Sequence, residues 1–424
     1  MTLQGSLTAS QRATSASPRF ALTILFLVVA VNLFDRQLIN ILAQDIKLDL
    51  HLSDAELGLL TGTAFGLLKA LFSIPIGALA DRRGRSRILA ALVAVRSAFS
   101  LLCAATSNFV GLLLARAGVG IGESAAVPIA SALARDYFGS RATTAIAITM
   151  AGNPVGTFLA FLLGGLIAER WGWRWAFLLA GPPGLLLAWI VFAKLKDSGT
   201  PAAPIDASWV RDAAGLMRRP LVKPLVFATT GSMFMVNAAS AWMPALLIRS
   251  HGFGTAQAGL YLAAAVGLGG ALGALSGIAC DLVRPRIRHP ESALMCATLL
   301  LAVPFLFAMI FSPGNRAALV AFFVYNILAY AWLGPTIRLI QDSVEPHQRA
   351  LAIALCGAVG VFISLGVGVP LIGLISDLLT SAYGTRALGI SLCLVVMVAI
   401  AISLASHLNI VRTLRPAAQS LGRF

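Results

Sequence analysis

Six charged side chains lie deep inside stretches of the sequence that are otherwise apolar. The first two are neighbours, in the run VNLFDRQLI that follows FALTILFLVVA. A charged side chain at the middle of a membrane costs about 2.5–3.5 kcal/mol on insertion scales, so such residues are expected to be functional. Carboxylates there can carry protons, and cations there can bind an anionic substrate. The six residues are Asp35, Arg36, Lys69, Arg96, Arg116 and Glu123.

The spacing of these charges predicts which of them face one another. Adjacent residues on a helix point about 100° apart, so Asp35 and Arg36 need partners from other helices. At a rise of about 1.5 Å per residue, Asp35 and Arg116 lie at one depth. Arg116, Gly120 and Glu123 have the spacing of a single helix face, with the small glycine leaving room between the two charges. A second layer contains Glu123, Lys69 and Arg96.

The composition identifies the elements that must position these residues as membrane-spanning helices. The chain has 424 residues, of which 58% are hydrophobic and 12% are charged, and its mean hydropathy is +0.86. Soluble chains carry about 25% charged residues, so this one has too little polar material for a soluble surface. Twelve apolar runs reach the length of about 20 residues that crosses a bilayer. They lie near residues 20–43, 56–80, 88–106, 109–134, 143–168, 175–193, 223–248, 257–280, 292–312, 317–340, 350–376 and 387–406.

The distribution of positive charge orients these helices. The net charge is +15, and most of the 32 Lys and Arg residues fall in the tails and in alternate loops. This asymmetry is the positive-inside rule, and it predicts that both termini are cytoplasmic. The charge is therefore a topology signal, and we do not expect a nucleic-acid partner. We interpret residues 1–19 as a cytoplasmic tail and not a signal peptide, because no cleavage-like site follows the first run.

Cysteine and histidine show no spacing typical of a metal site or of a nucleophile–base pair. The five cysteines lie within or beside apolar runs, and the five histidines fall in loops or at the ends of runs. We therefore predict neither an enzyme nor a cofactor or metal site. The expected location is the plasma membrane (the inner membrane in a bacterium), where a multi-pass monomer has the lipid bilayer as its partner.

One long polar segment, 194–222, divides the chain near its middle. It separates a predicted six-helix bundle at 20–193 from a second at 223–406, and residues 407–424 form a predicted cytoplasmic tail. The sequence GALADRRGR after the second run is echoed by GIACDLVRPR 200 residues later. The predicted fold is thus an all-α membrane protein with twelve helices in two pseudo-symmetric bundles. Such a repeat places a binding site at the interface of the halves, near the bilayer midplane.

The first of these two loops resembles the signature loop of the major facilitator superfamily. Its residues are Gly77, Asp81, Arg82, Gly84 and Arg85, in GALADRRGRSR. RAGVGIG in the fourth run is similar to that superfamily's span-four motif. The stretches NLFDRQLINILAQDIKLDLHLSDAELGLLTG, GVGIGESA and GPTIRLIQDSVEPHQRALAIA resemble its spinster-like branch. The resemblance implies a secondary transporter that works by alternating access.

The physics of the signature loop suggests a gate. Asp81, at a helix end, can accept hydrogen bonds from backbone N–H groups and can pair with a cation of a neighbouring helix. Gly84 permits a tight turn that returns Arg82 and Arg85 to the interface between the halves. We expect this network to hold the halves together on the cytoplasmic side in one state and to break in the other. The alternative is that the basic residues are only positive-inside anchors.

The spinster-like resemblance also implies roles for the buried charges. It implies that an Asp–Arg pair at Asp35 and Arg36, and the Arg116 and Glu123 of the fourth run, handle protons or substrate. Because a buried carboxylate can alternate between protonated and paired forms, Asp35 and Glu123 are the predicted proton carriers. Arg36 and Arg116 are predicted to contact the substrate or a gate. Two further candidate contacts outside the family pattern, which are alternatively packing or snorkelling residues, are Lys69 and Arg96.

The balance of charge predicts the class of substrate. Inside the first six runs cations outnumber carboxylates by two, which indicates an anionic group as the missing partner. The runs of the second half are almost uncharged and rich in aromatic residues, and their candidate contacts are Asn237, Tyr325, Asn326 and Tyr330. A charged wall opposite an apolar wall suits an anionic amphiphile, and the spinster-like resemblance points to lysophospholipid- or sphingolipid-like substrates.

Proton coupling is the predicted energy source for this transport. The alternatives are an organic-acid or drug-type permease of the same superfamily and an uncoupled facilitator. A channel or a transporter-like receptor is the alternative of another class.

Overall fold

The computed structural model describes residues 17–197 and 209–419, and these residues are helical almost throughout, with no β-strand in either range. The first range contains α1 (Pro18–Leu50), α2 (Asp54–Gly58), α3 (Ala64–Arg83), α4 (Arg85–Ala105), α5 (Phe109–Glu123), α6 (Ala126–Phe138), α7 (Ala142–Met150), α8 (Gly152–Trp171) and α9 (Trp173–Lys194). The second contains α10 (Trp209–Met217), α11 (Val222–His251), α12 (Thr255–Ala274), α13 (Ser276–Val283), α14 (Pro290–Phe311), α15 (Asn315–Tyr330), α16 (Leu333–Asp342), α17 (Arg349–Val361), α18 (Val369–Tyr383) and α19 (Ala387–Gln419).

Ten stretches of helix in the described residues are long and apolar enough to cross a membrane. Eight of them are between 20 and 33 residues long. The other two, Phe109–Trp171 and Leu351–Leu414, have 63 and 64 residues. Each of these two is interrupted by a 3₁₀ turn, at Gly139–Arg141 and at Gly384–Arg386. The prediction of an all-helical, multi-pass membrane protein is therefore confirmed.

The second membrane-spanning stretch, formed by α2 and α3, begins and ends at local sequence signals. At its start, Ser53 Oγ accepts a hydrogen bond from the backbone N–H of Glu56 at 3.1 Å, and Glu56 Oε2 accepts one from the N–H of Ser53 at 2.9 Å. This reciprocal cap satisfies two N–H groups that the first helical turn leaves free. A π-helical turn, Leu59–Thr63, then joins α2 to α3. Gly84 ends α3 with a φ of +101°, which only glycine adopts at little cost.

Glycines permit close backbone approaches between helices, and two of them show how. A Cβ at Gly156 of α8 would lie 2.0 Å from the carbonyl oxygen of Ala30 in α1. A Cβ at Gly62 would lie 2.2 Å from the carbonyl oxygen of Leu365, in a second π-helical turn at Phe362–Gly368. Small residues favour such backbone contacts between membrane helices. The two π-helical turns, together with a contact of α8 against α12, join the first half of the chain to the second.

The predicted domain boundaries fall near helix ends. The predicted linker 194–222 starts where α9 ends and finishes where α11 begins; its residues 209–217 form α10, and residues 198–208 lie outside the described residues. Helix α19 continues into the predicted tail 407–424 as far as Gln419. Residues 420–424, and residues 1–16 of the predicted tail 1–19, lie outside the described ranges. The division into two six-helix bundles stays a prediction.

The helices run between two ends of the molecule, which we call the proximal end and the distal end. The proximal end contains the start of α1, the turn at Gly84 and the start of α11. The distal end contains the end of α1, the start of α2, the end of α11 and the end of α18. The buried charges predicted from the sequence lie on α1, α3, α4 and α5, between these two ends.

Candidate functional site

Four helices of the first half bring the six predicted charges into one region. Helix α1 supplies Asp35 and Arg36, α3 supplies Lys69, α4 supplies Arg96, and α5 supplies Arg116 and Glu123. The exposed fraction is 0% for Asp35 and 1% for Arg96, Arg116 and Glu123. Charges buried this deeply are costly unless each finds a partner, so their pairing determines what the site can do.

Asp35 is paired with Arg96. Arg96 Nε lies 3.3 Å from Asp35 Oδ2, and Arg96 Nη1 donates a hydrogen bond to Asn32 Oδ1 at 3.2 Å. Asn32 and Asp35 are three residues apart, so both face α4. The Nε contact is close but is not aligned as a hydrogen bond, and neither Asp35 oxygen accepts one from any described residue. Asp35 therefore keeps hydrogen-bonding capacity although its side chain is fully buried.

This pairing differs from the depth calculation, which placed Arg96 in a separate layer from Asp35. An arginine side chain is long, so Arg96 can pair with a carboxylate at a different level of a neighbouring helix. Arg96 is buried and points to α1, so it does not snorkel to a membrane surface.

Glu123 is paired with Lys69, in agreement with their predicted shared depth. Lys69 Nζ lies 2.5 Å from Glu123 Oε1. The other carboxylate oxygen, Oε2, is buried and has no hydrogen-bond partner in residues 17–197 and 209–419. The lysine side chain is 24% exposed, whereas that of Glu123 is 1% exposed. Lys69 is thus the partly accessible member of the pair.

Three cations surround the ring of Phe65, which is itself 1% exposed. Arg36 Cζ and Lys69 Nζ lie 5.3 Å from the ring centroid, and Arg116 Cζ lies 5.7 Å from it. An aromatic face attracts cations through its quadrupole, so Phe65 gathers these side chains. Arg116 Nη1 contacts the backbone oxygen of Asp35 at 3.5 Å, while its Nε and Nη2 atoms are buried without a partner.

The cluster therefore contains two kinds of cation. Lys69 and Arg96 each have a carboxylate partner. Arg36 and Arg116 form no ion pair with a carboxylate of the described chain. Two guanidinium groups, both close to Phe65, remain able to bind an anion.

The residues predicted as substrate contacts in the second half differ in the hydrogen bonds that they form. Asn326 Nδ2 donates to the carbonyl of Phe322 at 2.9 Å, and the Tyr325 hydroxyl donates to the carbonyl of Met235 at 3.2 Å. Both side chains are buried and bonded within the second half. Asn237 Nδ2 donates to Ser364 Oγ at 2.8 Å.

Tyr330 differs from these residues because it lies within electrostatic reach of Arg36. Tyr330 is therefore the predicted second-half contact that the structure relates to the charge cluster.

At the proximal end, the signature loop forms an ion-pair network. Arg85 Nε donates to Asp81 Oδ1 at 2.9 Å, and Arg85 Nη1 donates to Asp136 Oδ2 at 2.8 Å. The turn at Gly84 makes this possible by bringing the start of α4 back beside the end of α3. Arg82 is exposed, and a Cβ at Gly77 would meet no atom within 4 Å. The Arg85 network ties three helices of the first half to one another.

The corresponding segment of the second half, which contains Asp281 and Arg284, also forms an ion-pair network. Arg284 Nη2 lies 2.6 Å from Glu291 Oε1 and 3.4 Å from Asp281 Oδ1. Arg338 of α16 lies 3.4 Å from Asp281 and 3.5 Å from Glu291. These four residues all belong to the second half. The two proximal networks thus each stabilise one half of the chain.

At the distal end, by contrast, polar side chains join the two halves. Arg249 of α11 places Nη1 2.8 Å from Asp54 Oδ2 and Nη2 2.8 Å from Asp54 Oδ1. Lys47 also pairs with Asp54, and Ser376 Oγ donates to Asp54 Oδ2 at 2.7 Å. Arg249 Nε donates to Gln44 as well. We refer to these residues and Asp377 as the distal seal.

Two carboxylates at the distal end cap helices of the opposite half. Asp377 of α18 accepts from the backbone N–H groups of Asp54 and Ala55, at 2.9 and 2.7 Å, where α2 begins. Glu169 of α8 accepts from the N–H of Ala256 at 2.6 Å, where α12 begins. A carboxylate is favourable at a helix N-terminus because free N–H groups and the helix dipole both attract it. These contacts join residues far apart in the sequence, and the only local signal at this end of the first half is the capping pattern SDAE at Ser53–Glu56.

The helices and the buried site define a multi-pass membrane protein of the transporter class, and comparison with known proteins agrees. Residues 25–360 match the Major Facilitator Superfamily. An MFS-type efflux pump of Mycolicibacterium smegmatis is 31% identical over 89% of this chain and 88% of its own length. The sphingosine-1-phosphate transporter SPNS2 of Danio rerio is 26% identical, over 87% of this chain and 78% of its own.

A solved structure has the same fold. It is a bacterial homolog of the human lysosomal transporter Spinster, in an inward-facing and unoccupied conformation. It covers 93% of this chain and 98% of its own, at 24% identity and a TM-score of 0.82. The chain belongs to the major facilitator superfamily, and its resemblance to the spinster-like branch is confirmed. These relatives are transporters and not enzymes.

Proposed function

We propose that this protein is a proton-coupled secondary transporter that moves an anionic, amphiphilic small molecule by alternating access. The observation that carries the proposal is the charge balance around Phe65. Two guanidinium groups there have no carboxylate partner in the described chain, beside two carboxylates that keep unbonded oxygens. Such a cluster can accept an anion and protons in the same place.

The proposal includes twelve membrane crossings and two cytoplasmic termini. A helix of 63 residues would be about 95 Å long, three times the bilayer core of about 30 Å. Each of the two longest apolar stretches is therefore inferred to cross twice, reversing at Gly139 and at Gly384, where φ is +49° and +56°. Ten stretches then give twelve crossings, and the excess of Lys and Arg at the proximal end supports a cytoplasmic location for that end.

The substrate is inferred from the two walls of the central region. The wall formed by α1, α3 and α5 presents Arg36 and Arg116, which suit a carboxylate or phosphate group. The opposite wall presents the aromatic residue Tyr330 among apolar side chains. A molecule with an anionic head and an apolar body satisfies both walls, and transport of sphingosine-1-phosphate by a relative supports this class. A short organic anion would use only the first wall.

Proton coupling is inferred from Asp35 and Glu123. Each holds a cation through one oxygen, while at least one further oxygen is buried without a hydrogen bond from the described residues. A proton on either carboxylate would neutralise it and release Arg96 or Lys69. The released cation could then attract the anionic substrate, so that proton and substrate occupancy become linked.

Alternating access is inferred from the difference between the two ends. The distal seal joins the halves, whereas the two proximal networks each lie within one half. This arrangement matches a state that is open at the proximal end, as in the inward-facing relative. In the opposite state, Asp54 must separate from Arg249, and the two capping carboxylates must separate from the helix starts that they cap.

Flux measurements in proteoliposomes test the proposal. We expect saturable accumulation of a lysophospholipid-like anion when a proton gradient is imposed, and its collapse when an uncoupler is added. A matched compound with the same head group and no tail tests the apolar wall, and we expect it to compete poorly. Conductance without saturation would instead indicate a channel. Accumulation driven by sodium alone would contradict proton coupling.

A further inference from the structure

A polar cavity of about 520 Å³ lies at the distal end of the second half. It is open to the surface and is lined by the last turn of α11, the end of α14, the start of α15 and the turn that precedes α19. Its lining shares no residue with the cluster around Phe65. The polar side chains that line it are Ser250, His251, Ser312, Asn315, Thr385 and Arg386.

The chemistry of this lining favours an anion. Arg386 is exposed and forms no ion pair with a described residue, and no Asp or Glu of the described chain lines the cavity. His251 Nδ1 lies 3.3 Å from Asn315 Oδ1, while its Nε2 is buried without a hydrogen-bond partner. Ser250 Oγ and Asn315 Nδ2 donate to the backbone oxygens of Thr385 and His251, at 3.3 and 3.2 Å, and so hold the lining in place. The guanidinium group of Arg386 is left to bind a phosphate group, for which it is well suited.

The surface below the cavity is suited to an acyl chain. From Phe311 at the cavity wall, exposed apolar residues continue along α14 at spacings of a single helix face. Leu300, Phe307 and Phe311 are 56%, 43% and 48% exposed, and Pro304 between them is exposed as well. A phosphate in the cavity and a chain along α14 can belong to one molecule.

We propose that this cavity binds the phosphate head group of an anionic membrane lipid, with an acyl chain lying along α14. The last turn of α11 contributes to the site and to the distal seal, because Ser250 and His251 directly follow Arg249. A bound lipid therefore touches the same helical turn that holds Asp54. The proposal concerns a resident lipid and not the transported substrate, so it does not depend on the outcome of flux measurements.

Thermal unfolding of the purified protein in detergent tests this site. The probes are dioleoylphosphatidylglycerol, dioleoylphosphatidylcholine and inorganic phosphate, each added over a range of concentrations. We expect the melting temperature to rise in a saturable way with phosphatidylglycerol, and little with the other two. Arg386→Gln should weaken the apparent affinity for phosphatidylglycerol about tenfold, the effect of losing one charge-assisted hydrogen bond.

The matched control is Arg316→Gln, which removes the same charge just outside the cavity lining. An equal loss in both variants, or no loss in Arg386→Gln, would show that only general surface charge attracts the lipid and would overturn the proposal. Saturable stabilisation by inorganic phosphate, with no gain from phosphatidylglycerol, would also overturn it, in favour of a free-anion site. If Arg386→Gln does not fold, Ser312→Phe fills the cavity with all charges retained, and it should abolish the stabilisation.

Discussion

Asp377 is the residue whose replacement tests most directly how the distal end is held closed. In Asp377→Asn, the amide oxygen can still accept one of the two backbone hydrogen bonds, from Asp54 or Ala55, but the amide nitrogen cannot accept the other. The variant thus loses one hydrogen bond to a charged group, worth about 1.5–3 kcal/mol. It also loses the favourable position of a negative charge at a helix start, worth about 0.3–1 kcal/mol.

Because Asp377 is only partly buried, we take about 2 kcal/mol as the net effect. A change of that size raises the ratio of the state with an open distal end to the state with a closed one roughly 30-fold relative to wild type. The carboxylate does not face the charge cluster, so protein folding and the buried ion pairs should be unaffected.

Distances between spin labels at the distal end measure this shift. Labels at Ser107 and Gly314, both exposed and one in each half, report the separation of the halves in a background without the native cysteines. We expect Asp377→Asn to increase the population at long distances, and Glu169→Gln to act in the same direction. Asp342→Asn, an exposed carboxylate paired within the second half, is the control. If Asp377→Asn gives the same distances as this control, the capping carboxylate does not hold the distal end closed.

Three further predictions concern the proximal network and the central cluster. Asp81→Asn should leave the protein folded but lower the initial rate of transport about tenfold, since it breaks the Arg85 network; a wild-type rate would exclude a gating role. Arg116→Gln should weaken substrate binding about 10- to 100-fold in equilibrium titrations, whereas normal binding would identify the residue as a structural counter-ion. Asp35→Asn and Glu123→Gln should each abolish accumulation driven by a proton gradient, while Glu123→Gln retains downhill exchange. Accumulation by the double variant would contradict the role of Asp35 and Glu123 as proton carriers. The folding of this variant must be checked, because losing one member of a buried ion pair costs about 3–5 kcal/mol.

The sequence was sufficient for the features that depend on composition and on local pattern. Long apolar runs predicted a multi-pass helical membrane protein, because backbone groups in lipid must be satisfied within helices. The signature loop and the motif of the fourth run identified the superfamily. The burial cost of charge singled out the six residues of α1, α3, α4 and α5 before any contact was known, and depth placed Lys69 and Glu123 in one layer together with Arg96.

Only the tertiary structure decided how those charges are paired and how the halves meet. Asp35 pairs with Arg96 and not with its neighbour Arg36, because the rotation of each helix and the reach of the arginine side chain decide the partner. The distal seal joins Asp54 to Arg249 and Asp377, which lie 195 and 323 residues away in the sequence. No periodic pattern connects positions so far apart, since their approach depends on how the helices of the two halves pack against each other.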